Sequence, residues 1–229
     1  MIYNKHIKEN DFKQPSEVST FVGLSEVNCL AQELSAERKI RDALVTLLTK
    51  KPFHKITITD ITKVADINRS TYYYHYYETE EVLDKIIQVS VEDLIEIMLL
   101  SLKSQHIFTI DQDILPSTRA MFKHIDKHKK YYTALINSDV SNRFSQAFIT
   151  SIYEFNSKLS VTFEDNIEHI EINEDILNNL YAHAAFGQVK YWIDHNFEQS
   201  SDYMAKQMTN IMFTKMTSII YPKNLELRS

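Results

Sequence analysis

The stretch ITITDITKVADINRSTYYYHYYETEE, from Ile56 to Glu81, constrains this chain more than any other part of it. Thr57 can cap a first helix. Its hydroxyl accepts from the amide of Asp60, and Asp60 brings acid to the first turn, a short variant of the capping box. Ile58, Ile61 and Ala65 recur at helical steps, so one face is apolar. Asp66 falls where the chain must turn, and Asp tolerates a left-handed backbone better than most residues. Ile67 returns to the core. Asn68 can cap a second helix that carries Arg69, Ser70, Thr71 and a run of tyrosines to His75. Two such helices joined by a tight turn form the helix-turn-helix unit, whose second helix enters the major groove.

The rest of the chain is compatible with helices only. It has two Gly and four Pro in 229 residues, and its apolar residues keep a helical period throughout, so the expected fold is all-α. The chain is long enough to bury a sizeable core. The single Cys29 cannot form an internal disulfide, which fits a reducing cytoplasm. The polar N-terminus MIYNKHIKENDF lacks the apolar core of a signal peptide, and no charge-free apolar run is long enough to span a bilayer, so no membrane role is expected. The net charge of -6 argues against a generic nucleic-acid binder, but it is unevenly spread. Glu37 to Tyr76 holds eight Lys/Arg against four acids, a surplus of four positive charges, and the remainder therefore carries ten negative ones. A basic module on an acidic body is the pattern of a DNA-binding head on a body that does not touch DNA. There is no nucleotide-binding glycine loop and no Gly-flanked nucleophile, so neither an enzyme nor a cofactor is expected.

The region from Glu37 to Ile87 resembles the DNA-binding domain of the tetracycline-repressor (TetR) family of transcription regulators. The residues that carry the likeness are Arg38-Lys39-Ile40, Ala43-Leu44 to Leu48, Ile56-Thr57, Ile61, Ala65, Ile67-Asn68-Arg69-Ser70-Thr71-Tyr72-Tyr73, His75-Tyr76 and Glu81-Val82-Leu83. Two positions depart from the family pattern: Asp66 stands where Gly is usual, and Thr79, amid Glu78, Glu80 and Glu81, where many members have Lys. The second departure removes one expected phosphate contact. In the C-terminal half, MFKHIDKHKKYYTALI and AAFGQVKYWI resemble the branch that includes dihydroxyacetone-kinase-operon regulators, some of which act with a protein partner.

The resemblance implies an N-terminal extension (1–35), a three-helix helix-turn-helix domain (36–78) and a helical bundle for ligand binding and dimerisation (79–229). Arg69 is the candidate for a bidentate guanine contact, with a phosphate contact as the alternative. Ser70 and Thr71 lie in the first turn of the same helix. By the resemblance, Tyr73 and His75 are phosphate-contact positions, Tyr74 approaches bases, and Tyr72 and Tyr76 pack inward. Lys55, Thr57 and Thr59 should touch phosphate at the start of the preceding helix.

Along the rest of the chain the pattern predicts helices over about 24–34, 36–49, 79–102, 114–126, 129–137, 140–159, 173–196 and 201–220, with an acidic linker at 160–172. By the resemblance, the last two helices are expected at a dimer surface through Ala184, Gly187, Val189, Trp192, Met204, Met208, Ile211 and Met212, with an intramolecular core as the competing reading. Phe122, Tyr131, Tyr132, Phe148, Ile152 and Phe186 are candidates for lining an effector pocket, and the same residues can equally be core. His124 and His128 sit one turn apart, which without a third ligand does not make a metal site, and none is expected. The function expected is a homodimeric repressor on a palindromic double-stranded operator, released by a small apolar or aromatic effector. The alternatives are a regulator or coactivator switched by a protein coregulator, and a helical scaffold without DNA function, for which the acidic 78–81 segment is the motive.

Overall fold

A computed structural model of the chain describes residues 24–103, 114–158 and 173–213, with side chains from 35 to 102, 114 to 158 and 173 to 212. Every regular element among them is helical, and no strand occurs among the described residues. The order is α1 (Leu24–Leu48), a 3-10 turn (Phe53–Lys55), α2 (Ile58–Ala65), α3 (Arg69–His75), α4 (Thr79–Lys103), α5 (Pro116–Lys127), α6 (Lys129–Ile136), α7 (Ser141–Ser157), α8 (Glu174–Asp194) and α9 (Ser201–Phe213).

Local chemistry accounts for most of these boundaries. Pro116 sits in the first turn of α5, where its missing amide costs nothing. Asn173 caps α8 by accepting from the Ile176 amide at 3.1 Å, and Glu174 and Asp175 place acid at the positive end of that helix. One expectation changes. The two helices read at 24–34 and 36–49 are a single α1, because no Gly or Pro interrupts Leu24 to Leu48. The expected continuation of α9 to Ile220 and the linker 160–172 lie outside the described residues, as do residues 1–23 of the extension.

The core runs unbroken from head to body. Ile40, Leu44, Ile61, Tyr72, Leu83 and Ile86 fill the space between α1, α2, α3 and the start of α4. Phe122, Tyr132, Phe144, Phe148 and Trp192 fill the body, where α4 packs on α5 and α7, α7 on α8, and α5 on α9. The body rings meet mainly edge to face: Phe122 on Trp192 at 5.6 Å, Tyr132 on Phe144 at 5.8 Å and Phe148 on Phe186 at 5.7 Å. Between α8 and α9 the chain reverses through two successive left-handed residues, Asn196 (φ 52°) and Phe197 (φ 55°). A bulky residue tolerates that backbone only under restraint. The Phe197 ring is held against Trp192 at 4.9 Å, with the Lys129 ammonium 4.8 Å from its centre.

Candidate nucleic-acid interface

The two helices of the head are each fixed at the start by short side chains. The Thr57 hydroxyl accepts from the Asp60 amide at 3.2 Å, and Asp60 accepts from the Thr57 amide at 2.8 Å, a reciprocal capping box at the start of α2. Lys51 donates to the same carboxylate at 2.6 Å. These bonds, with Lys51 leading, hold the Asp60 carboxyl far below the usual carboxylate range. Asp66 then takes the left-handed conformation, φ 53° and ψ 55°, and its amide donates to the Thr62 carbonyl. This is the turn that the sequence calls for without the usual glycine. Asn68 caps α3: its side-chain oxygen accepts from the Thr71 amide at 2.7 Å and from the hydroxyls of Ser70 and Thr71 at 2.7 and 2.8 Å.

The tyrosine run divides as a helix requires. Tyr72 and Tyr76 are buried, and Tyr73 and Tyr74 face solvent, Tyr74 at 70% exposure. The Tyr72 hydroxyl donates to the Glu78 carbonyl at 3.1 Å, tying α3 to the start of α4, and burial pushes its phenol up to about 12. Arg69 is exposed. It donates to the Tyr73 hydroxyl at 3.2 Å, and its guanidinium lies 5.8 Å from that ring, so Tyr73 holds the arginine along the outer face of α3. Tyr74 and His75 meet edge to face at 5.0 Å.

Lys55, Thr57, Thr59, Arg69, Ser70, Tyr73 and Tyr74 are exposed, and Thr71 and His75 are half-buried. Thr57 spends both its amide and its hydroxyl on Asp60, so phosphate at this end would meet the amides of Ile58 and Thr59, which have no partner within the helix. Ser70 and Thr71 likewise donate into the Asn68 cap, so each hydroxyl must rotate to reach a phosphate oxygen. Tyr77, which the sequence reading did not single out, is exposed beyond the end of α3.

What sequence reasoning missed is how the head is clasped to the body. Asp139, between α6 and α7, accepts from the Phe53 amide at 2.8 and 3.0 Å and lies 3.3 Å from Nδ1 of His54. The Tyr131 hydroxyl donates to Asp42 at 2.5 Å, and Lys130 donates to the Thr46 hydroxyl at 2.8 Å. Within the body, Arg143 of α7 donates to Glu80 of α4 at 2.6 Å and also pairs with Asp84, which fixes the start of α4 below α3. The partners lie between 59 and 89 residues apart in the chain, so no local pattern announces them. Glu81 accepts from the Tyr77 amide at 2.8 Å. Two of the acids of the 78–81 segment are thereby occupied in the fold.

The residues expected at the dimer surface separate into two sets. Val189, Trp192, Met204 and Met208 are between 0% and 3% exposed within the single chain and belong to its own core. A side chain enclosed by its own fold has no area left to offer a second copy, so these four are corrected to core. Gly187 and Ile211 are exposed, and Ala184 and Met212 half-buried. A Cβ built on Gly187 would meet nothing within 4 Å, so no close approach among the described residues explains that glycine. The outward stripe of α8 is instead Ile176, Leu180, His183, Gly187 and Tyr191, with Tyr203 and Ile211 exposed on α9. Of the expected pocket residues, Phe122, Phe148 and Ile152 are enclosed in the core and Phe186 packs against it, whereas Tyr131 and Tyr132 line a cavity between head and body. No helix among the described residues is long and apolar enough to cross a membrane.

A capped helix-turn-helix with an exposed second helix, carried on a helical body, is the architecture of helix-turn-helix transcriptional regulators. Residues 112–214 match the family model described as the transcriptional regulator C-terminal region of the TetR type. The chain is 19% identical over 184 residues to YxbF of Bacillus subtilis (strain 168), an uncharacterized HTH-type transcriptional regulator. That match covers 79% of this chain, which spans just under half, 46%, of the relative's length. Among solved structures, a TetR transcriptional regulator from Streptococcus agalactiae 2603V aligns with a TM-score of 0.53 at 20% identity, over 82% of this chain and 98% of that one. The dihydroxyacetone kinase operon activator DhaS aligns at 0.52 with 17% identity, over 77% and 93%. The fatty acid degradation regulator FadR from Bacillus halodurans aligns at 0.60 with 12% identity, over 80% and 96%. At these identities the structures show a common fold. With the matched C-terminal region, the chain is similar to TetR-type transcriptional regulators over most of its described length.

Proposed function

We propose that the chain is a homodimeric repressor that binds a near-palindromic operator through two copies of α3 and leaves it when an effector occupies the body. The observation that carries this is the outer face of α3, where Arg69 is held by Tyr73 on a helix whose start Asn68 fixes. An arginine so placed suits bidentate contact with guanine. Lys55 and the first-turn amides of α2 supply phosphate contacts, as do Tyr73 and His75, and Ser70, Thr71 and Tyr74 lie where base edges are reached. One head reads only a few base pairs, so two copies with recognition helices roughly 34 Å apart are needed. The exposed stripe of α8 from Ile176 to Tyr191, with Ile211 of α9, is the surface we assign to the second copy.

The test is a selection of genomic fragments with purified protein, scored by gel shift at two salt concentrations. Recovery of a short inverted repeat, bound more weakly at high salt, supports the reading. Arg69→Ala should weaken that complex about 5- to 150-fold, about 1–3 kcal/mol, with unchanged helicity. Failure to enrich any fragment at either salt would reject it. A second reading comes from the structural relative named as an operon activator. Deleting the gene raises a reporter behind the recovered operator if the chain represses and lowers it if the chain activates.

A further inference from the structure

A cavity of about 330 Å³ lies where α1 of the head meets α4, α5 and α6 of the body. It is within the size range of small-ligand sites, and it is polar. Arg38 and Arg41 enter it from α1, Asp93 from α4, His124 from α5, and His128 and Tyr131 from the α5–α6 junction and α6. His124 is 5% exposed, and its Nδ1 has no hydrogen-bond partner. Burial, with the His128 ring tilted against it at 4.6 Å, holds the ring neutral, its pKa lowered to about 4. A neutral imidazole offers one donor and one acceptor, and leaving a buried one unmet is costly unless something else meets it.

The other polar groups of the cavity are differently placed. The Tyr131 and Tyr132 hydroxyls are already given to Asp42 and to the Ser90 carbonyl. Asp93 is exposed to the cavity and makes no side-chain hydrogen bond or ion pair among the described residues. Two arginines lie on the head side, one paired with Glu37 and the other 3.9 Å from Asp42. The α1 wall carries Arg38 and Arg41 with Asp42 and is net positive, and Asp93 faces from α4, so a simple anion or a simple cation matches only part of the lining, and a molecule with both charges matches more of it.

We propose that this junction cavity binds a small amino carboxylate, its carboxylate toward Arg38 and Arg41 and its ammonium toward Asp93 and the free nitrogen of His124. The inference rests on the DNA-binding reading only for its consequence. Arg41 and Asp42 lie on the helix that packs against α2 and α3, so an occupant here favours one placement of the heads over another.

The test uses the full chain without DNA. Histidine-labelled protein is titrated with each of the common L-amino acids, and the His124 ring signals are followed by NMR, with acetate and methylamine as single-charge probes. At least one amino acid should shift those signals saturably below about 10 mM. Arg38→Gln and Asp93→Asn, both at exposed side chains, should each weaken that binding tenfold or more, and His124→Phe should abolish it. The proposal is overturned if no amino acid gives a saturable shift, if acetate or methylamine alone binds as well, or if neither exposed-site variant changes the affinity. A gel shift of the same protein without amino acid reads DNA binding separately, so loss of one reading leaves the other standing.

Discussion

Asp66 holds a left-handed backbone at φ 53°, where its Cβ crowds the following carbonyl, and it puts a negative charge beside the C-terminus of α2. Both effects disfavour it relative to glycine. Asp66→Gly should therefore raise stability by about 0.5–1 kcal/mol in urea denaturation, and a loss of stability would show that the aspartate side chain makes a compensating contact. His124 gives a pH dependence of opposite character to an ordinary surface imidazole. Its folded pKa, about 4, lies below the free value of 6.5, so the unfolded chain takes up the proton first. The stability of neutral His124 is fully present above about pH 6.5 and is lost as the pH falls toward and through about 4. The groups facing it are His128 and Lys127, which oppose its protonation, and Asp93, which favours it. Denaturation midpoints measured across that window should fall with acid in the wild type and fall less in His124→Phe.

At the scale of elements, the head shows how few residues specify a short helix. α2 has eight residues and α3 seven, below the length at which an isolated helix persists in water. Their ends are set by Thr57 with Asp60 and by Asn68, and their inner faces by Ile61, Ala65 and Tyr72. Thr57→Ala should cost about 1 kcal/mol in thermal or chemical denaturation and blur the start of α2, since it breaks one half of the reciprocal box. These ends were legible in the sequence because capping depends on residues three apart. The split expected within α1 failed for a related reason: polar composition marks a surface, not an end, and without Gly or Pro the helix simply continues.

Over the whole molecule, the outward stripe of α8 is the feature that asks for a partner. Leu180 is 60% exposed and Ile176 69%, the two most exposed large aliphatic side chains among the described residues. Leu180→Asp should turn a dimer into a monomer by light scattering and abolish operator binding, while the monomer's own melting stays close to that of the wild type. If the variant remains dimeric, the two copies meet elsewhere. The clasps of Asp139 and Tyr131 onto the head are the bonds through which a change in the body would reach α3, together with the shared core.

The sequence by itself determined the helical class, the capped helix-turn-helix, the left-handed turn at Asp66 and the inward tyrosines, because each depends on neighbours within one or two turns. It could not sort Trp192, Val189, Met204 and Met208 from Ile176 and Leu180. All of them are apolar at helical spacing, and only packing decides which face its own core covers. Nor could it bring Arg38, Asp93 and His124 to one cavity or Asp139 beneath Phe53. Those meetings join residues tens of positions apart, and tertiary structure alone sets them, by how α1 docks against α4, α5 and α6.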